Sequence, residues 1–261
     1  MARAVEIHAD GHRATVTREW VTEAPVALEF NGVAYAVMMA TPADLEDFAT
    51  GFALTEGLAS TPSDVIDLAV AEVEAGWIIR ATIARLGPDR LGERVRRRVA
   101  ESSCGLCGIE NLEALTRPLP PVLPHAEIPA SAIFAAQAAL REAQPLYRLT
   151  GSAHAAAWCA NDGTIRLVRE DVGRHNALDK LVGSVARTEG SLADGFVLSS
   201  ARCSYEIVEK AVRGGATTLV TVSLPTTLAV ERAVAAGLSL WALARDDSVL
   251  CVNAPGTPAS A

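Results

Sequence analysis

Aromatic residues make up only 5% of this 261-residue chain, its five cysteines are an odd number, and no stretch reaches the roughly 18 uncharged apolar residues of a membrane span. Each scarcity excludes something. The missing apolar run argues against a membrane protein, and the opening Met1-Ala2-Arg3-Ala4-Val5-Glu6 lacks the continuous apolar core of a secretory signal. An odd cysteine count without such a signal argues against a disulfide scaffold and for reduced thiols in the cytoplasm. Positive charge is short as well. A formal net charge of −8 gives no general pull toward phosphate backbones or anionic lipid, so neither nucleic acid nor membrane is expected as a partner. The local exception, Arg94, Arg96, Arg97 and Arg98, reads either as a solvated helix face or as a dock for an acidic partner.

What the chain does have is apolar bulk. Half of its residues are apolar, enough to bury one large core or two modest ones. Residues 1–117 read as a smaller α+β domain. There Asn31-Gly32 separates the strand-like runs Val26–Phe30 and Val33–Met39, a hairpin signal. Thr41-Pro42-Ala43-Asp44 then supplies a helix cap, a proline at the first helical position and an acid in the first turn, followed by Leu45, Phe48, Ala49 and Phe52 at helical spacing. Trp77–Ile83 reads as another strand. Residues 118–126 form a linker, since Arg117–Pro124 holds four prolines in eight residues and cannot continue a helix or a central strand.

Residues 127–261 alternate between helical and strand-like segments. The expected helices are Ala130–Glu142, a short one after His154, Asn176–Arg187, Tyr205–Arg213 and Thr226–Ala236. The expected strands are Thr164–Val168, Phe196–Ser199, Leu219–Val222, Leu240–Leu243 and Val249–Val252. Such alternation predicts a three-layer α/β domain with a largely parallel sheet.

Chemistry concentrates in three places. Cys104-Gly105-Leu106-Cys107-Gly108 puts two thiols three positions apart, a spacing able to share a metal, exchange a disulfide or carry a sulfur atom as a persulfide. Glu170-Asp171-Val172-Gly173-Arg174-His175 falls between a strand end and a helix start, where parallel α/β sheets bind ligands. Helix-terminal N–H groups there favour an anion, Arg174 adds a bidentate contact, and Glu170 or Asp171 could accept from a ribose or a guanine edge. A buried ion-pair turn capping the helix is the alternative. Ser199-Ser200-Ala201-Arg202-Cys203-Ser204 follows the next strand in the same way, so Arg202 would face the same cleft. Cys159, Cys203 and Cys251 stand among apolar or small residues and read as core side chains. The loop Leu243-Ala244-Arg245-Asp246-Asp247-Ser248 reads as a rim or as an exposed hairpin.

Taken together, Ser102–Gly108, Thr150-Gly151-Ser152-Ala153-His154-Ala155-Ala156-Ala157, Glu170–Lys180 and Ser204-Tyr205-Glu206, with Val37–Phe48 before them and Leu224–Val230 after, resemble in order the hallmarks of the formate dehydrogenase accessory sulfurtransferases, FdhD. The resemblance implies a cytidine-deaminase-like α/β domain and a homodimer. It implies a protein that takes persulfide sulfur from a cysteine desulfurase and delivers it to the molybdenum cofactor, the bis(molybdopterin guanine dinucleotide) form, for formate dehydrogenase. Cys104 matches the persulfide-carrying cysteine and Cys107 its companion. Leu243, Ala244, Arg245, Asp246, Asp247 and Ser248 match a cofactor-binding stretch, although Asp247 and Ser248 replace an expected glycine or basic residue. A non-catalytic chaperone that binds the cofactor and the apo-enzyme is the alternative function.

Metal chemistry fits the residues poorly. A zinc deaminase needs H-x-E followed by P-C-x-x-C, whereas His154-Ala155-Ala156 has alanine in place of the acid and the only CxxC lies upstream. A structural zinc site would need two more ligands near Cys104 and Cys107, and no second CxxC or paired-histidine motif supplies them. No structural metal is expected.

Overall fold

The Asn31-Gly32 pair turns the chain as its chemistry predicts. Asn31 at φ 50° and Gly32 at φ 75° join β3 (Ala24–Phe30) to β4 (Val33–Ala40) in antiparallel register. This is read from a computed structural model that describes residues 2–87, 91–92, 118–188 and 190–254. Ahead of that turn lies a two-stranded ribbon of β1 (Ala2–Ile7) and β2 (Arg13–Arg18). Behind it come α1 (Leu45–Thr55), β5 (Val65–Val73) and β6 (Gly76–Ile83), giving a four-stranded sheet of order β4-β3-β6-β5. Four aromatics cluster here: Phe30, Tyr35, Phe48 and Phe52 pack edge-on or stacked where α1 covers the sheet.

Helix α1 starts later than its sequence suggests. Thr41 does not cap it. Leu45 is the first helical residue, Asp44 sits before it at φ 53°, and no side chain caps the end. The reason lies across the molecule, in a turn that claims all of Thr41's polar atoms. Thr41 N donates to Asp171 Oδ2 (3.0 Å), its Oγ1 accepts from Val172 N (3.1 Å) and its carbonyl accepts from Lys180 Nζ (2.9 Å).

Further along the chain come α2 (Ala130–Leu140), α3 (Pro145–Thr150), β7 (His154–Cys159), β8 (Ile165–Asp171), α4 (Arg174–Arg187), β9 (Phe196–Ser199), α5 (Tyr205–Arg213), β10 (Thr218–Thr221), α6 (Thr227–Ala236), β11 (Ser239–Ala242) and β12 (Leu250–Asn253). The strands make one sheet of order β12-β11-β10-β9-β7-β8. Three layers result. Ala156, Val197, Leu219 and Leu240 face α4, α5 and α6, while Ala155, Ala157, Phe196, Leu198, Val220 and Trp241 face α2. This alternation is the period-two signature of strands buried on both faces.

Two expectations need correction. The segment after His154 is a strand, not a short helix. Its alanines favour a helix in isolation, but β7 pairs with β8 on one side and β9 on the other, and tertiary pairing overrides that preference. For the same reason the sheet is mixed, not largely parallel. Only β9, β10 and β11 are parallel neighbours, joined by the crossover helices α5 and α6, whereas β7, β8 and β12 pair antiparallel. The proline-rich residues 118–126 carry no helix or strand, yet they are tied down: Val122 N donates to Ala236 O (2.8 Å) and His125 Nε2 lies 2.8 Å from Ser239 Oγ.

The two sheets are joined back to back through α1 and α4, which cross at two glycines. A Cβ built on Gly51 would stand 1.7 Å from Asp179 O, and one on Gly183 would stand 1.9 Å from Asp47 O. Backbone meets backbone there. No rotamer change relieves such an overlap, so Gly51→Ala should cost roughly 1–3 kcal/mol or more as the helices are forced apart. A thermal melt indistinguishable from the parent's would refute this close packing.

Beside that crossing, Lys210 Nζ reaches Asp179 (2.9 Å) and Glu56 (3.0 Å), and Thr55 Oγ1 donates to Asp179 Oδ1 (2.6 Å). Burial alone would lower Lys210, but the Asp179 and Glu56 carboxylates outweigh it and hold the ammonium above the ordinary lysine range. Arg169 and Arg187 clasp Asp47 at 2.8 Å and 2.7 Å on the other flank.

Candidate functional site

Strands β8, β9 and β10 all deliver their carboxyl ends to one edge of the six-stranded sheet, and β7 begins there. His154 is the register partner of Asp171, while Ser200, just past β9, exchanges hydrogen bonds with Ala155: Ser200 N to Ala155 O at 3.0 Å, and Ala155 N to Ser200 Oγ at 2.8 Å. At this edge opens a cleft of about 490 Å³, a size that takes a nucleotide-sized group. Its sheet side is His154, Val172, Ser200 and Val222, and its outer wall is Gln137, Arg141, Gln144 and Tyr147 from α2 and α3.

Positive charge gathers at the sheet side. His154 lies in the field of Arg174 and His175, which begin α4, and of Arg202 on the loop after β9. Burial first, then the two guanidinium charges, hold its imidazole below the ordinary histidine range, and the nearby Asp171 carboxylate only partly offsets them. His175 is placed differently. Its Nε2 stands 3.2 Å from Glu206 Oε2, and His175 pulls the Glu206 carboxyl down despite partial burial. Both helices that start here, α4 after Gly173 and α5 after Ser204, begin without a side-chain cap. Arg174 Nε and Ser204 Oγ are buried with no hydrogen-bond partner among the described residues.

The predicted residues thus divide. Arg174, His175 and Arg202 come together with His154, as the strand-end position requires. Glu170 and Asp171 do not turn to a ligand. Strand β8 runs on through both, so they are buried, and their oxygens are already claimed. Glu170 accepts from Leu146 N and Tyr147 N, each at 2.8 Å, and so holds the start of α3. Asp171 pairs with Lys180 at 2.6 Å and accepts from Thr41 N, Gly173 N and Asn176 Nδ2. For Asp171 these contacts are those of the buried ion-pair turn that stood as the alternative reading of this segment. Gly173 is the residue before α4, and a Cβ there would meet Asn176 Nδ2 at 2.7 Å.

The loop Leu243 to Ser248 stands at the same sheet edge, beside the cleft wall. Ala244 N is anchored to Thr221 O at 3.1 Å, Leu243 takes φ 50°, and Arg245, Asp246, Asp247 and Ser248 are exposed. Cys104 and Cys107 lie outside the described residues, as does the arginine run before them. Cys159 and Cys203 are core residues as expected. Burial pushes their thiols up to about 12 and about 11, far from thiolate character.

Sequence reasoning missed the outer wall of the cleft. Gln137, Arg141, Gln144 and Tyr147 carry no motif, and only the tertiary fold brings α2 and α3 opposite the strand ends. Among the described residues, no group of three or more His, Cys, Asp or Glu converges as a metal site would require. Among the same residues, no helix is long and apolar enough to cross a membrane.

A mixed-sheet α/β body thus carries basic residues on its carboxyl-end loops beside a polar cleft. Comparison with known proteins adds the lineage. The FdhD/NarQ family model matches residues 21–257, and the chain belongs to that family. It is 41% identical over 242 residues to a sulfur carrier protein FdhD of Bordetella petrii, covering 93% of this chain and 87% of that one. Its identity to a sulfur carrier protein FdhD of Cupriavidus necator is 46% over 227 residues, covering 87% and 79%. Among solved structures, a protein described as a formate dehydrogenase accessory protein from Desulfotalea psychrophila superposes with a TM-score of 0.74 at 25% identity, covering 98% of this chain and 97% of that one.

Proposed function

We propose that the chain is a sulfur carrier for formate dehydrogenase maturation: it takes persulfide sulfur from a cysteine desulfurase and passes it to bis(molybdopterin guanine dinucleotide)-molybdenum, its cargo. The observation that carries this reading is family membership over nearly the whole length, with relatives named sulfur carriers and a CxxC at Cys104 and Cys107. In the loading step the Cys104 thiolate attacks the outer sulfur of the desulfurase persulfide. That S–S bond breaks, the desulfurase thiolate leaves, and Cys104 holds the sulfur. In the release step the Cys107 thiolate attacks the Cys104 sulfur, expels the outer atom as hydrosulfide and closes a disulfide, which a thiol reductant reopens.

The cleft supports the cargo half of the reading. Its volume suits one nucleotide arm of the cofactor, and His154 on its wall lies in the field of Arg174 and Arg202, charges that favour a diphosphate there. The same reading makes the protein a cytoplasmic homodimer and its larger α/β body a member of the cytidine-deaminase-like class.

Mass spectrometry after incubation with a desulfurase and cysteine tests the carrier role. A gain of one sulfur on the Cys104 peptide is expected, and a protein that never gains sulfur but still binds the cofactor would be a chaperone. For the cargo half, Arg202→Ala should weaken guanosine diphosphate binding about tenfold, the worth of one charge-assisted contact. Calorimetry checks this, and unchanged affinity would move the nucleotide elsewhere.

A further inference from the structure

Two guanidinium groups act on His154 at this end of the cleft, with Asp171 opposing them there and Glu206 lying in the field of Arg174 and His175. His154 lines the cleft, the helices α4 and α5 begin at the same sheet end, and Arg174 Nε and Ser204 Oγ are buried without hydrogen-bond partners among the described residues. The nearest carboxylate at the strand end, Asp171, is spent on Lys180 and three hydrogen-bond donors. His154 stands at the centre of this edge, at the start of β7 and on the cleft wall.

We infer that His154 couples ligand binding to proton uptake: a nucleotide diphosphate enters this cleft together with one proton, which the imidazole takes from solvent and then uses to donate to the phosphate. The inference rests on the nucleotide reading of the cleft given above. In the empty cleft the ring is neutral, because it is half-buried and faces Arg174, His175 and Arg202 with only Asp171 opposing them. A bound diphosphate places negative charge among those cations. The repulsion that kept the ring neutral is cancelled, and the imidazolium gains a charge-assisted hydrogen bond. Linkage fixes the sign: because the complex holds more protons than its separate parts, affinity falls as pH rises, by up to about tenfold per unit at full uptake.

Calorimetric titration with guanosine diphosphate at pH 7.5, in two buffers of different ionisation enthalpy, counts the protons. The parent protein should take up most of one proton beyond that seen with His154→Gln, which keeps a hydrogen-bonding side chain but cannot titrate. The nucleotide's own titration cancels in that difference. A second readout needs no variant: the His154 Cε1–H resonance should move from its neutral to its protonated position as nucleotide is added. Equal proton counts for the parent and His154→Gln, or an unmoved resonance in the saturated complex, would overturn the inference and leave the cleft a nucleotide site. Uptake lost in His175→Gln and kept in His154→Gln would overturn it too. No binding of the nucleotide by the parent protein would sink both this inference and the cargo reading.

Discussion

Asp171→Ala should lower the stability of the folded chain by about 3–5 kcal/mol, the usual cost of stripping one partner from a buried ion pair. Asp171 and Lys180 are both fully buried, 2.6 Å apart. Without the carboxylate, the Lys180 ammonium keeps Thr41 O at 2.9 Å, while Thr41 N, Gly173 N and Asn176 Nδ2 lose the acceptor they share. For a chain of this size the loss corresponds to a fall of roughly 6–20 °C in melting temperature. Lys180→Met should cost less, about 1–3 kcal/mol, because the carboxylate left behind still accepts from those three donors. The order of the two losses is the test. If Lys180→Met proved the more damaging, the carboxylate would not be the hub of this turn.

That hub links fold to site. Asp171 ends β8, fastens the Thr41 loop of the four-stranded sheet, and positions Gly173 and Asn176 at the start of α4, where Arg174 and His175 emerge. The polarity of Glu170–Lys180 therefore divides by burial. The acids and the lysine build the frame, and Arg174 and His175 at the start of α4 stay partly accessible. Sequence spacing located the segment at a strand end but could not sort its members, because burial is a property of what packs against them. The same limit explains β7. An alanine run reads as a helix until neighbouring strands are known, and those neighbours come from residues 165–171 and 196–199. Local signals succeeded where the decision is local, as at the Asn31-Gly32 turn. Motifs in chain order carried the family, while the outer wall of the cleft, having no motif, had to wait for the fold.

Cys104→Ala should abolish sulfur loading from a desulfurase, reducing the label to the background of a protein without a reactive thiol. The five cysteines are not equivalent nucleophiles, and the thiolate is the attacking form. With thiols raised to about 12 and about 11, Cys159 and Cys203 are ionised at neutral pH to roughly one part in 10⁵ and 10⁴, against a few per cent for an ordinary cysteine. Each is also sealed in the core, so a macromolecular donor cannot reach it. Cys251 is partly accessible, but it sits in strand β12 between Leu250 and Val252 with no flanking glycine. Cys104 and Cys107 remain, each followed by a glycine that frees the backbone around it. Cys107→Ala separates their roles. It should load sulfur as the parent does and release it more slowly, with no disulfide formed on discharge, because the resolving thiolate is gone. Intact-mass spectrometry with peptide mapping reads all three outcomes. Undiminished loading in Cys104→Ala, with the extra sulfur traced to Cys107 or Cys251, would reassign the carrier, and loading lost equally in both single variants would mean that the two thiols act only as a pair.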